Sequence, residues 1–170
     1  MVYVVIILFI LFALGIGSNV ILGIRCYKHI VYAHNYFQSL EAFFEQYNTG
    51  HFNSDLFEWL KSHSNKMQKI LSYQGKIELH PKKESYIIRN YRVIHDLLPD
   101  IEEKNVDPAA ITEAKRALVE RMEYLENMHR KHQKHIINPL FWIVDGVQLI
   151  ISPFVLLGWF IKMSIKRRKT

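Results

Sequence analysis

The sequence has few of the residues that mark a catalytic or a disulfide-stabilised protein. It contains one cysteine, Cys26, so no intramolecular disulfide can form and the fold must be held by packing alone. No HExxH, CxxC, G-x-S-x-G or Walker-type motif is present, and the seven glycines are dispersed rather than clustered in a phosphate-binding loop. The sequence therefore predicts no cofactor and gives no support to nucleophilic catalysis. Acylation of Cys26 is a minor alternative to an inert thiol.

Charge is absent from residues 2–24, and this absence is the strongest signal in the chain. About 20 apolar residues in a helix cross the roughly 30 Å hydrocarbon core of a bilayer. A cleaved signal peptide would carry a basic region before a shorter apolar core, and neither feature is present here. We therefore predict a retained transmembrane helix over residues 1–24.

The net charge of +6 is concentrated at the C-terminal end. The tail, residues 162–170, carries five basic residues and no acidic residue. A basic cluster that directly follows an apolar segment is typical of a juxtamembrane anchor for lipid head groups, whereas a nucleic-acid-binding domain carries a basic face on its folded part. The sequence predicts a membrane-lipid partner and no nucleic acid, and a tail that is merely solvated fits the basic cluster almost as well. The lipid-facing residues are expected to be Trp142, Trp159, Lys166, Arg167, Arg168 and Lys169.

Between the apolar ends, helical periodicity dominates and strand signals are nearly absent. The fold class predicted is an all-α membrane protein, in which the N-terminal helix continues into an antiparallel helical bundle and a second membrane segment follows. The predicted divisions are the transmembrane helix 1–24, the bundle 25–137, the second segment 138–161 and the basic tail 162–170.

Capping signals and apolar spacing give the individual helices. The first helix is expected to leave the bilayer and continue to Tyr47. A second should begin at one of Asn53, Ser54 and Asp55, and Gly75 is expected to act as its left-handed cap. After a linker or short extended segment that ends at Pro81, the third and fourth helices are predicted over 84–98 and from Asp107-Pro108 to Ile137.

The second apolar segment, residues 138–161, is interrupted by Asp145, Gln148 and Pro153. Its aliphatic and aromatic residues outweigh the cost of one aspartate, about 2.5 to 3.5 kcal/mol at the bilayer centre. Two shapes remain open. The segment is either a single kinked span or a re-entrant hairpin that turns near Ser152-Pro153.

Asp145 is the leading candidate for a functional residue, because an ionisable side chain at membrane depth is a site hypothesis by default. Gln148 lies three residues further along and shares its helix face, so the pair could form a polar seam in an oligomer. The alternative is that Asp145 lies at the interface and is hydrated.

Histidine occurs in two patterns that could bind a metal. His129, His132 and His135 repeat at a spacing of three, so adjacent members could share an ion, but the sequence favours basic residues at a membrane interface near a helix end over a metal site. The pair His95-Asp96 is a weak sign of a helical metal-dependent hydrolase, because further ligands cannot be assigned.

We expect a small integral membrane anchor, scaffold or regulatory subunit that assembles with a protein partner or with a second copy. An oligomeric pore that uses the C-terminal segment is the alternative, and a membrane-tethered metal hydrolase is the remote one. The uncharged N-terminus followed by Arg25 and Lys28 favours a first helix whose N-terminus lies outside the cell. The bundle is then expected on the cytoplasmic side of a plasma or inner membrane.

Overall fold

The computed structural model describes residues 2–79, 88–103 and 107–167, and this part of the chain is mostly helical. The helices are α1 (Val2–Asn48), α2 (Ser54–Leu71), α3 (Leu97–Glu102), α4 (Pro108–Ile137) and α5 (Pro139–Arg167). Two short strands, β1 (Lys76–Leu79) and β2 (Ile88–Arg92), pair antiparallel. A 3₁₀ turn, Ser72–Gly75, joins α2 to β1.

The residues separate into two compact units. Unit 1 consists of Met1–Cys26 and Met128–Thr170, and unit 2 consists of Tyr27–Asn127. Helices α1 and α4 each contribute one part to unit 1 and another to unit 2. The prediction that the first helix continues without a break as far as Tyr47 is confirmed.

Unit 2 contains the apolar core. Helix α2 turns one face inward because its large apolar residues recur every three or four positions, as at Phe57, Leu60 and Met67. The core also receives side chains from the second half of α1, and alanines of α4 at i, i+4 and i+7 permit close packing. The fully buried members include Tyr36, Leu40, Phe43, Leu60, Met67, Leu71, Ile94, Leu97, Ile101 and Leu118.

The predicted start of α2 is confirmed, and its predicted end is wrong. Asn53 caps the helix, since its side-chain oxygen accepts a hydrogen bond from the backbone N–H of Leu56. The residue in the left-handed region is Ser72, with φ 55°, and not Gly75. A Cβ at Gly75 would overlap the Cβ of Leu71 and the amide of Gln68, whose Nε2 donates to the Gly75 carbonyl, so a larger residue there would displace both side chains.

The predicted third helix, residues 84–98, is wrong over residues 88–96, and of its described residues only the last two are helical. Residues 88–92 form β2, and a turn over 93–96 separates this strand from α3. Tyr91 and Ile94 fit a helical spacing, but aromatic side chains such as Tyr91 also favour strands, and Tyr91 pairs with Ile77 of β1. Residues 80–87, which include His80 and Pro81, lie outside the described residues.

Proline and aspartate set the starts of the last two helices of unit 2. Pro99 does not end a helix as predicted but lies in the first turn of α3, where its missing N–H has no helical partner to lose. The Asp107-Pro108 start of α4 is confirmed, because the Asp107 carboxylate accepts from the backbone N–H of Ala109 at 2.8 Å.

In unit 1, α1 is the one described helix that is long and apolar enough by itself to cross a membrane. A second span is counted only if α4 and α5 are taken as one broken helix, since they are bent by 110° at the break around Asn138. Helix α5 continues through Ser152 and Pro153 to Arg167. The sharp change of direction therefore lies at Asn138, and the backbone does not turn back near Ser152-Pro153.

Candidate polar site in unit 1

Three helices bring polar side chains together inside unit 1. Asn19 comes from the apolar part of α1, His132 and His135 from the end of α4, and Asp145 from α5. Asn19 and His132 are 3% and 8% exposed. A buried polar group is stable only when its hydrogen bonds are made, so the partners of these side chains decide what the cluster can do.

The Asn19 amide is the centre of the polar cluster. Its Nδ2 group donates to the Gly15 carbonyl at 2.9 Å and to Asp145 Oδ2 at 2.7 Å. Both amide protons are therefore engaged, and Oδ1 faces His132 Nδ1 at 2.8 Å. Because an amide oxygen can only accept, His132 must carry a proton on Nδ1. The pattern thus fixes the tautomer of a neutral His132.

Asp145 receives a second donor on the same oxygen. His135 Nδ1 lies 2.9 Å from Asp145 Oδ2, and the two side chains are 18% and 17% exposed. The His135 ring also stacks on Phe141 with a centroid distance of 4.2 Å. A carboxylate can only accept hydrogen bonds, and both of its neighbours here donate. Asn19, His135 and Asp145 therefore form one hydrogen-bonded group.

Glycine lets α1 and α5 approach closely beside the polar cluster. A Cβ at Gly15 would overlap the backbone of Trp142, and a Cβ at Gly146 would overlap the backbone of Leu11. Small residues allow helix backbones to come this near in apolar surroundings. Trp142 also stacks edge-to-face on Phe12 at 5.9 Å. These contacts fix Asp145 at the level of Asn19.

Of the remaining residues that the sequence predicted for the site, the structure describes the side chains of Gln148 and Trp142. Gln148 lines a cleft of about 320 Å³ together with the polar cluster. The Trp142 indole donates to the Ile136 carbonyl at 3.0 Å, so its polar edge is engaged within the chain. The predictions for Trp159, Lys166, Arg167, Arg168 and Lys169 fall outside the residues whose side chains the structure describes.

The three histidines contact three different groups. His129 Nδ1 lies 3.0 Å from the Gly23 carbonyl, while His132 and His135 bind Asn19 and Asp145. Within residues 2–79, 88–103 and 107–167, no three His, Cys, Asp or Glu side chains are arranged to hold a metal ion. In unit 2, the carboxylate of Asp96 binds the side chain of Arg92 at 2.7 Å and so closes a turn.

Sequence reasoning missed Asn19, which lies within the uncharged run of residues 2–24. The available signal was a carboxamide deep in an apolar helix, because such residues form hydrogen bonds between helices in apolar surroundings. The sequence could not supply the partner, since Asn19 and Asp145 are separated by 126 residues.

Unit 2 has a separate groove of about 730 Å³. Its apolar wall contains Tyr47, Phe52, Phe57 and Ile101, and Phe52 is 50% exposed. Phe52 packs on the ring of Phe57 at 5.3 Å. The groove is bordered by the exposed carboxylates of Glu58 and Glu102, and the Glu102 carboxylate forms an ion pair with Lys61 Nζ at 3.1 Å.

Comparison of the chain with protein-family models, with curated proteins and with solved structures gave no match.

Proposed function

We propose that this protein is an integral membrane anchor whose unit 1 lies in the bilayer and whose unit 2 binds a protein partner. The observation that carries the proposal is the distribution of side chains in unit 1. Its outer surface presents apolar residues such as Val2, Phe9 and Ile21, each at least 67% exposed, while Asn19 and His132 are buried.

This distribution fits a hydrocarbon environment. Soluble proteins rarely expose contiguous apolar patches beyond a few hundred Å², because water disfavours them. In a bilayer the same surface is favourable, and polar groups must then find partners inside the protein. Asn19 and Asp145 have such partners. The hydrogen bonds of the cluster offset part of the cost of placing Asp145 among apolar segments.

The groove in unit 2 supports the binding role. Its aromatic wall suits a large apolar side chain, and the Glu58 carboxylate suits a basic residue next to that side chain. We therefore assign it a partner segment that carries one large apolar residue flanked by lysine or arginine. A groove of about 730 Å³ lies within the range of about 300 to 1,000 Å³ that small binding sites occupy.

Membrane insertion is tested by cysteine accessibility in intact cells, with Cys26→Ser as background. Single cysteines at Val2 and Thr49 are labelled with a membrane-impermeant thiol reagent. We expect Val2→Cys to react before the cells are opened and Thr49→Cys to react only afterwards. Recovery of the protein in the soluble fraction without detergent would contradict the anchor. Labelling of Thr49→Cys alone in intact cells would contradict a cytoplasmic unit 2.

Partner binding is tested with a defined probe on the full-length protein in detergent. The probe is a labelled peptide with one tryptophan flanked by lysines, and the reference peptide carries glutamates instead. We expect the lysine peptide to bind and Glu58→Lys to weaken it about tenfold or more, while Glu45→Lys, an exposed position outside the groove, has no effect. Equal binding of both peptides would contradict the proposed charge complementarity.

An oligomeric pore is the second candidate, and the cleft that Asp145 and Gln148 line favours it. A pore predicts that liposomes containing the protein conduct ions and that Asp145→Leu abolishes the current without loss of insertion. The anchor predicts no current from either protein. Conductance that depends on Asp145 would therefore decide for the pore.

A further inference from the structure

The cleft in unit 1 is polar although the surface around it is apolar. Its lining includes Ser18, Lys131, Gln148 and Ser152 beside the cluster of Asn19, His132, His135 and Asp145. Leu22 and Leu149, which are 42% and 43% exposed, complete the wall. If unit 1 lies in a bilayer, as proposed above, a cleft of this kind opens towards lipid molecules.

The charges within the cleft are unevenly compensated. The Asp145 carboxylate is bound by Asn19 and His135, so its negative charge is met inside the cluster. Lys131 forms no ion pair with any of the residues that the structure describes, and its side chain is exposed. The cleft therefore has an excess of positive potential at Lys131, with the Gln148 amide available as a second donor.

We propose that the cleft binds the phosphate group of an anionic phospholipid, with Lys131 as its principal contact. This inference rests on the proposed membrane insertion of unit 1. A cleft of about 320 Å³ has room for a phosphoglycerol head group but not for the acyl chains. The chains then lie outside, against exposed apolar side chains such as Leu22 and Leu149.

The choice of a lipid over a soluble phosphate follows from the walls of the cleft. A soluble phosphate ester gains nothing from the exposed leucines or from the apolar surface of α1 and α5 beyond them. A lipid satisfies both surfaces at once, because its phosphate enters the cleft while its acyl chains stay among the apolar side chains outside it. Zwitterionic phosphatidylcholine brings its own ammonium to Lys131, which lowers the gain from its phosphate.

The test uses the full-length protein in a neutral detergent and measures lipid binding by native mass spectrometry. The probes are phosphatidylglycerol and phosphatidylcholine with identical acyl chains. We expect phosphatidylglycerol to bind with at least about tenfold higher affinity, equal to about 1.4 kcal/mol. Lys131→Gln should remove this preference. Lys134→Gln, the same change one turn away and outside the cleft lining, should retain it.

Each other outcome contradicts the inference in a distinguishable way. If both variants bind phosphatidylglycerol as the native chain does, the site is not at Lys131. If glycerol phosphate without acyl chains competes as strongly as the lipid, the cleft is a soluble-phosphate site. Thermal unfolding of both variants confirms that each is folded, and Gln148→Ala provides a second change in the same cleft. Failure of membrane insertion in the cysteine experiment would instead remove the proposed function itself.

Discussion

In unit 2 the large apolar side chains point inward, whereas in unit 1 many of them lie on the surface. The buried apolar residues of the structure, from Ala33 to Leu125, all belong to unit 2. Unit 1 has the opposite arrangement, since residues 2–10 are exposed while Asn19 and His132 are buried. Two parts of one chain thus follow opposite rules, as the proposed placement of unit 1 in a bilayer requires.

The largest expected effect of a substitution is in the core of unit 2. Phe43 is fully buried and its ring contacts those of Phe44, Tyr47, Phe52 and Phe57. Phe43→Ala should lower the free energy of unfolding by about 3 to 5 kcal/mol, through lost apolar contact and the cavity that remains. Chemical denaturation of the full-length protein in detergent measures this.

The control for this change is the same substitution on the exposed surface of unit 1. Phe9 is 72% exposed, so Phe9→Ala should leave the free energy of unfolding nearly unchanged. If Phe9→Ala destabilised the protein as much as Phe43→Ala, the contrast between the two units would be wrong.

The second-largest expected effect of a substitution on stability concerns the close approach of α1 and α5. Gly15→Val places a side chain where the Trp142 backbone lies, so the helices must separate, at a cost of about 1 to 3 kcal/mol. Gly17→Val is the matched control, because a Cβ at Gly17 has no neighbouring atom within 4 Å among the described residues. Thermal unfolding in detergent compares the two variants. Equal stability of both would show that α1 and α5 do not pack at Gly15.

The polar cluster should show measurable coupling between α1 and α5. A double-mutant cycle with Asn19→Ala and Asp145→Ala isolates the hydrogen bond between their side chains. Hydrogen bonds between helices in membrane proteins contribute about 0.6 kcal/mol on average and at most about 1.7. We expect a coupling energy in the upper part of this range, because the pair is charge-assisted and linked to both histidines.

A second cycle serves as the reference for this measurement. Asn19→Ala combined with Gln133→Ala should be additive, since Gln133 is exposed and binds His129 instead. Additivity of Asn19→Ala with Asp145→Ala as well would contradict the interhelical hydrogen bond.

The elements that could be predicted from the sequence are those with local signals. Asn53 and Asp107 start α2 and α4 as expected, since a capping side chain acts within three residues of its own position. The run from Val2 to Ile24 required no partner to be recognised as a helix. A long uncharged run is therefore sufficient evidence for α1, and an N-cap residue is sufficient evidence for the starts of α2 and α4.

The missed features depend on contacts between distant residues. Strand β2 forms because Lys76 and Ile77 pair with Arg92 and Tyr91, and its apolar spacing alone fits a helix equally well. Asp145 was identified as a candidate from its place in an apolar segment, but its partner Asn19 is 126 residues away. The local sequence pattern thus predicts that a buried polar residue needs a hydrogen-bonding partner, and only the fold identifies that partner.

The smallest effect is a pH dependence in unit 2, where the carboxylate of Asp100 lies beside Tyr91. Burial raises the pKa of Asp100 above its ordinary value, and the hydrogen bond from the Tyr91 hydroxyl, at 2.8 Å, opposes this shift. The folded state therefore binds the Asp100 proton more tightly than the unfolded state does. Its contribution to stability is complete below the ordinary pKa of about 4 and is lost as the pH rises through the raised folded value.

Asp100→Asn removes this titration and keeps an oxygen that can accept from Tyr91. We expect the native chain to lose stability relative to the variant as the pH rises from about 4 towards 7, because only the native chain must then bury a charge. Thermal unfolding at both pH values measures the difference, with Asp55→Asn, an exposed carboxylate of α2, as the control. The opposite slope would mean that the Tyr91 hydrogen bond outweighs burial and lowers the pKa of Asp100 in the folded state.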